Sequence, residues 1–207
     1  MSKPIILMYP DGHHRRIIFE IGPFIADYPE QVYLTGIMQR WCPNSAGFDV
    51  TAVHESLSLI KGTFKDHLIT WVEEYLHKEH SNAEADRIMD DIDRRIAAAP
   101  AFPGLRHFLE GRNFKQWTGD DSKALMKVFL PAIVGHVSNS IVKCIAAFLD
   151  FCYLVRQPAH DTDTLATMDE TLHCFHHYRQ VFVDLGIHPD GISLPQQHSL
   201  VHYVPAI

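Results

Sequence analysis

The hydrophobic period of this chain changes once, and no other feature narrows its possible folds as much. Residues 16–26, RIIFEIGPFIA, are apolar almost without a break after Arg16, the pattern of a strand covered on both faces. Gly22-Pro23 within the run marks a bulge or an edge position. A second apolar run precedes it at 4–9, and the Asp11-Gly12 pair between the two is a hairpin signal. From Pro29 onward the repeat is helical. Proline suits a first helical turn, Glu30 suits its positive end, and Val32, Tyr33, Ile37 and the Trp41 region form one stripe. Asp27 stands at the junction, at the C-terminal end of the second strand.

Beyond residue 50 the periodicity predicts helices only. Phe64, Leu68, Trp71, Val72, Tyr75 and Leu76 share one face, and Ala85, Ile88, Ile92 and Ile96 share another. Pro100 and Pro103-Gly104 interrupt the pattern. A helix capped by Asp120 or Asp121 then runs to Pro131, which must end or kink it. The stretch 139–156 is apolar nearly all round and reads as a buried central helix, with Asp150 expected to sit in a structural pair. One long amphipathic helix is predicted from DTDTLATMDETLHCFHHYRQVFVDLG, with Leu165, Met168, Leu172, Phe175, Phe182 and Leu185 inward and Gly186 as C-cap. A short helix around LPQQHSLVHYV closes the chain. The expected fold class is therefore mainly α with a small N-terminal β element. Because a two-stranded hairpin is marginal alone, the strands are expected to belong to a larger sheet and the chain to be a fragment.

Composition removes several function classes. The 207 residues carry 18 Lys and Arg against 25 Asp and Glu, a formal charge of -7, so no basic footprint of a free-standing DNA-binding module dominates. The four cysteines, Cys42, Cys144, Cys152 and Cys174, are widely separated, and three lie in apolar helical runs where a free thiol acts as a small hydrophobe. The apolar segment 141–155 contains Lys143 and Asp150 and is shorter than the ~20 residues of a membrane span. An intracellular protein, nuclear or cytoplasmic, with no membrane partner is expected.

Several residues are candidates for chemistry. Asp27 is either the cap of the Pro29 helix or a strand-end carboxylate able to ligate Mg²⁺. Cys42-Pro-Asn-Ser45 is half of a Cys-x-x-Cys turn, and His198 with His202 is an i, i+4 pair; together they offer Zn²⁺ three ligands, with Ser45 where a fourth would be. Asp90 with Arg94 and Asp91 with Arg95 read as salt bridges on a solvated face. His160-Asp161 and the cluster His173, His176, His177 would suit a stand-alone metal hydrolase. Arg106, Arg112, Lys115, Lys123 and Lys127 around Trp117 form the local patch to test against nucleic acid, with a solvated surface as the plain alternative.

Longer stretches say more than these spacings. YPDGHHRRIIFEIGPFIADYPEQV, GFDVTAVHESLSLIKGTFKDHLITWVEEYLH, the segment from DDIDRRIAAAPAFPGLRHFLE to GRNFKQWTGDDSKALMKVFLPAIVGHV, and PDGISLPQQHSLVHYV closely resemble the Plavaka-type transposases, the fungal branch of the CACTA (EnSpm-like) DNA transposons. The resemblance spans nearly the whole chain. It implies a cut-and-paste transposase whose RNase H-like core holds three acidic residues and is interrupted by a helical insertion. Asp27 matches the second acid, Cys42 the first cysteine of a Cys-x-x-Cys, and His198 and His202 the paired histidines. The implied organisation is a partial catalytic core at 1–49, a helical insertion at 50–193, and a short helix with HSLVH at 194–207.

Three departures accompany the resemblance. The first acid is expected upstream of Met1 and the third beyond Ile207, and Ser45 replaces a cysteine. In intact relatives the implied chemistry is Mg²⁺-assisted attack of water, then of a DNA 3′-hydroxyl, on phosphodiester bonds at transposon ends. A chain with one of three carboxylates is expected to be inactive alone. The alternative is a decayed or domesticated helical module that binds a protein, DNA or a second copy of itself without catalysis.

Overall fold

The computed structural model describes residues 5–8, 14–17, 55–100, 106–112, 119–202 and 204. Near the N-terminus β1 (Ile5–Met8) and β2 (His14–Ile17) pair antiparallel, with Ile5 opposite Ile17 and Met8 opposite His14. The remainder of the expected second strand, the Pro29 helix, Asp27, Cys42 and Ser45 lie outside the described residues.

The other described elements are helices, joined by turns. A wide-wound π-type helix, α1 (Glu55–Ile69), passes directly into α2 (Thr70–Glu79). Then come α3 (Asn82–Ala97), α4 (Gly119–Ile133), α5 (Asn139–Val155), α6 (Thr162–Tyr178), the single turn α7 (Val181–Asp184) and α8 (Pro195–His198), which runs into a 3-10 turn, Ser199–His202. α3 packs on α2 and α4, α4 on α1 and α5, and α5 along α6, so sequence neighbours are also spatial neighbours. Their inward faces merge into one core. Aromatic pairs join its parts: Phe64 meets Phe129 edge-on at 5.6 Å, Phe148 meets Phe175 at 5.2 Å, and Trp71 meets Phe182 at 5.0 Å. Burying each such ring stabilises the fold by roughly 1.5–3 kcal/mol.

The predicted inward residues of α1, α2 and α3 are buried or half-buried, and Met89 joins them. α5 is the buried central helix, with Ile141, Cys144, Ile145, Phe148, Phe151 and Cys152 inside. Asp150 departs from expectation because it is exposed. It belongs to a narrow solvent stripe with Asn139, Lys143 and Tyr153, spaced by whole helical turns, which the flanking apolar residues disguised.

The long C-terminal helix is also divided. It stops at Tyr178, and Arg179 and Gln180 form a turn before α7. Gly186 does end α7 as a left-handed cap, at φ +67°, and its carbonyl accepts from Lys78 Nζ at 3.0 Å. α4 continues two residues past Pro131. Asp121 is buried and paired with Arg106, so its carboxylate serves a tertiary contact and not simply a cap.

Candidate metal and nucleic-acid contact residues

Two arginines of the expected nucleic-acid patch are engaged by carboxylates. Arg112 is half-buried: its Nε lies 2.9 Å from Asp93 Oδ1, its Nη2 lies 3.2 Å from Asp93 Oδ2, and its backbone N–H donates to the same carboxylate at 2.9 Å. Arg106 pairs with Asp121. Both guanidinium charges are therefore met by carboxylates. Lys123 and Lys127 stand one turn apart on α4, the first half-buried and the second exposed, while Lys115 and Trp117 lie outside the described residues.

A second ionic centre lies between α3 and the end of α4. Asp91 receives Arg94, Arg95 Nε at 2.8 Å and His136 Nε2 at 2.7 Å. Hydrogen bonds from Arg94 and His136, helped by the charges of Arg95 and Arg94, hold its carboxyl down to about 2. Arg94 turns to Asp91 at i-3 where the sequence suggested Asp90. Arg95 also donates to the carbonyls of Ala132 at 3.3 Å and Val134 at 2.8 Å, closing the C-terminal end of α4. His136 is 45 residues from Asp91, a separation that local charge patterning does not report.

The histidines and the C-terminal segment meet around α6. Gln197, fully buried, accepts from Arg179 Nη1 at 2.6 Å and donates from Nε2 to the Nδ1 of neutral His67 at 3.4 Å. His67 stacks on Trp71 at 5.5 Å, and Trp71 meets His188 at 4.5 Å. Burial lowers the pKa of His67 to about 4 against the opposing pull of Asp66. Beside this link is a groove of about 1060 Å³ whose wall includes His173, Cys174, His176, His177, Tyr178 and Val201. Burial, then the charge of Arg179, lowers His176 to about 4.

His198 ends α8 and is exposed, and His202 lies on the following 3-10 turn. Regular α-helical i, i+4 geometry is not kept between them, since a 3-10 turn rotates ~120° per residue where an α-helix rotates ~100°. The His160-Asp161 doublet resolves otherwise: Asp161 accepts from the Thr164 backbone N–H at 2.8 Å and caps α6. Buried thiols are held protonated, Cys144 being pushed up to about 12. Among the described residues no three His, Cys, Asp or Glu side chains converge as a ready metal-ligand set. No described helix is long and apolar enough to cross a membrane.

One comparison bears on the origin of the chain. Residues 1–49 match the family model described as Plavaka transposase. No curated protein and no solved structure matches. The matched stretch contains Asp27, Cys42 and Ser45, and so carries part of the Plavaka resemblance read from the sequence. Transposase-related ancestry follows for that stretch. The described helical body lies downstream of it.

Proposed function

We propose that this chain is a transposase-derived polypeptide in which residues 1–49 contribute part of an RNase H-like strand-cleaving core and the helical body is the insertion accompanying it. The observation that carries this reading is the Plavaka match over residues 1–49. Asp27 is the metal-ligand carboxylate of that core, and bound Mg²⁺ would neutralise phosphoryl oxygens there. The resemblance matches it to the second of that core's three acids. Cys42, His198 and His202 form a zinc staple weakened by Ser45. Lys115, Lys123 and Lys127, the lysines of the patch around Trp117, supply the phosphate contacts.

The test is fluorescence anisotropy of labelled duplex DNA with the full chain over a salt series, in parallel with a Mg²⁺-dependent cleavage assay. Salt-sensitive binding that weakens in a K115A/K123A/K127A variant supports the reading, and a Mg²⁺-dependent product lost in D27A would add the catalytic role of Asp27. DNA binding that is absent at low salt, or indifferent to all three lysines, contradicts the assigned phosphate contacts.

A helical interaction module without catalysis has its own supporting observation. Leu109 and Val134 stand 76% and 50% exposed, on a body whose patch arginines are already paired. Concentration-dependent self-association in sedimentation, without DNA, favours that reading.

A further inference from the structure

The C-terminal segment closes onto α1 through very few side chains. α8 packs against α1, yet it is a single turn, too short to keep its shape without docking. Among the described side chains of 195–202 only Gln197 and Leu200 are buried. The backbone N–H groups of Gln197 and His198 both donate to the Leu194 carbonyl, so these bonds stay inside the segment. Upstream, 189–191 is exposed, and Ile192 and Leu194 are half-buried against the core. What fastens the turn is one amide. Gln197 Oε1 accepts from Arg179 Nη1 at 2.6 Å, and its Nε2 lies 3.4 Å from His67 Nδ1. A single side chain thus joins α1, α8 and the end of α6.

Two features make this closure reversible. Arg179 is half-buried and meets the Gln197 amide oxygen and, at 5.8 Å, the ring of Phe175; no carboxylate pairs with it among the described residues. A neutral acceptor holds a guanidinium less firmly than a carboxylate does. Beside the clamp, His188 lies 4.5 Å from Trp71, which stacks on His67, and the Nε2 of His188 is shielded from water with no hydrogen-bond partner. An unmet buried nitrogen is a cost of the closed form that water relieves on opening. We propose that residues 195–202 are a latch over His67 at the end of α1, held shut by Gln197 and able to open as a local unit while α3 and α5 stay folded. The open form uncovers His67, Trp71 and the Arg179 cation together.

Hydrogen exchange followed by mass spectrometry on the full chain tests the latch, with wild type, Q197A and Q197E compared. Q197A removes both bonds and is expected to speed exchange at 63–69 and 195–202 by about tenfold or more, the scale of one lost hydrogen bond to a charged group. Exchange in α3 and α5 is expected to stay at wild-type rates. Q197E keeps the reach to Arg179 and adds a charge, so the same two segments are expected to exchange at or below wild-type rates. Carbethoxylation of His67 and His188 should follow the same order, fastest in Q197A and slowest in Q197E. Circular dichroism checks that each variant is folded, and if Q197A is not, Q197E against wild type decides. Acceleration in α3 and α5 equal to that in 63–69 overturns the proposal. Rates at 63–69 that ignore both substitutions, or faster exchange in Q197E than in wild type, overturn it too.

Discussion

Arg112 and Asp93 share a two-point ion pair in which the side chains are only 13% and 14% exposed. This contact fastens the turn at 109–112 to α3. An arginine that composition suggests for DNA is thus committed to the fold. Removing one partner of a buried pair costs about 3–5 kcal/mol, largely because the other charge stays buried and unmatched. R112A should lower the unfolding midpoint markedly while leaving DNA affinity per folded molecule unchanged. The R112A/D93A double variant should recover part of the loss. Thermal melts and anisotropy on the same samples separate the two effects.

Gly111 is tied to the same contact. Its φ is +60°, and a Cβ placed there would lie 2.4 Å from Asp93 Cβ. G111A therefore meets both a left-handed backbone and a steric clash. It should destabilise more than the same substitution at the open, exposed Gly191, measured by urea midpoints.

Arg95 closes α4 by donating to the carbonyls of Ala132 and Val134. Hydrogen bonds from a charged donor contribute about 1.5–3 kcal/mol each. R95A should lower stability by a few kcal/mol, and R95K should recover only part of it because an ammonium cannot reproduce the fork that also meets Asp91. Hydrogen exchange should show faster opening at the end of α4 first.

Acid should unfold the protein in two windows. His67 and His176 are lowered by burial from 6.5 to about 4, so between those values the unfolded state binds protons that the folded state refuses. Stability should be flat above pH 6.5 and fall as pH drops from 6.5 toward 4. H67Q and H176Q should flatten that slope. Asp91, held from 3.8 down to about 2, adds a lower window in which the benefit of its ion pairs is lost as pH falls through the folded value. Chemical-denaturation midpoints from pH 7.5 to 3 distinguish the windows.

Helical periodicity made much of the fold legible. Phe64, Leu68, Trp71 and Ile92 face the core as their spacing requires, because amphipathic stripes are local patterns. Asp150 was misread because its exposed stripe is narrow and shares Tyr153 with apolar neighbours. The break at Arg179 was invisible for another reason. Arg179 turns out of the helix toward Gln197, which in turn reaches His67, 130 residues away. Tertiary contacts of that range leave no mark in a short window. For the site, the sequence named the histidines of α6, but the shielded nitrogens of His176 became visible only in the structure.

The central claim is that a transposase-derived chain meets DNA phosphates through Lys115, Lys123 and Lys127. The slope of log K against log salt tests it most directly, because each phosphate neutralised contributes about -0.9. The account predicts measurable duplex binding with a slope of about -2 to -3 that approaches zero when the three lysines are replaced. A chain that binds no duplex at low salt, or whose slope is untouched by those substitutions, would contradict it.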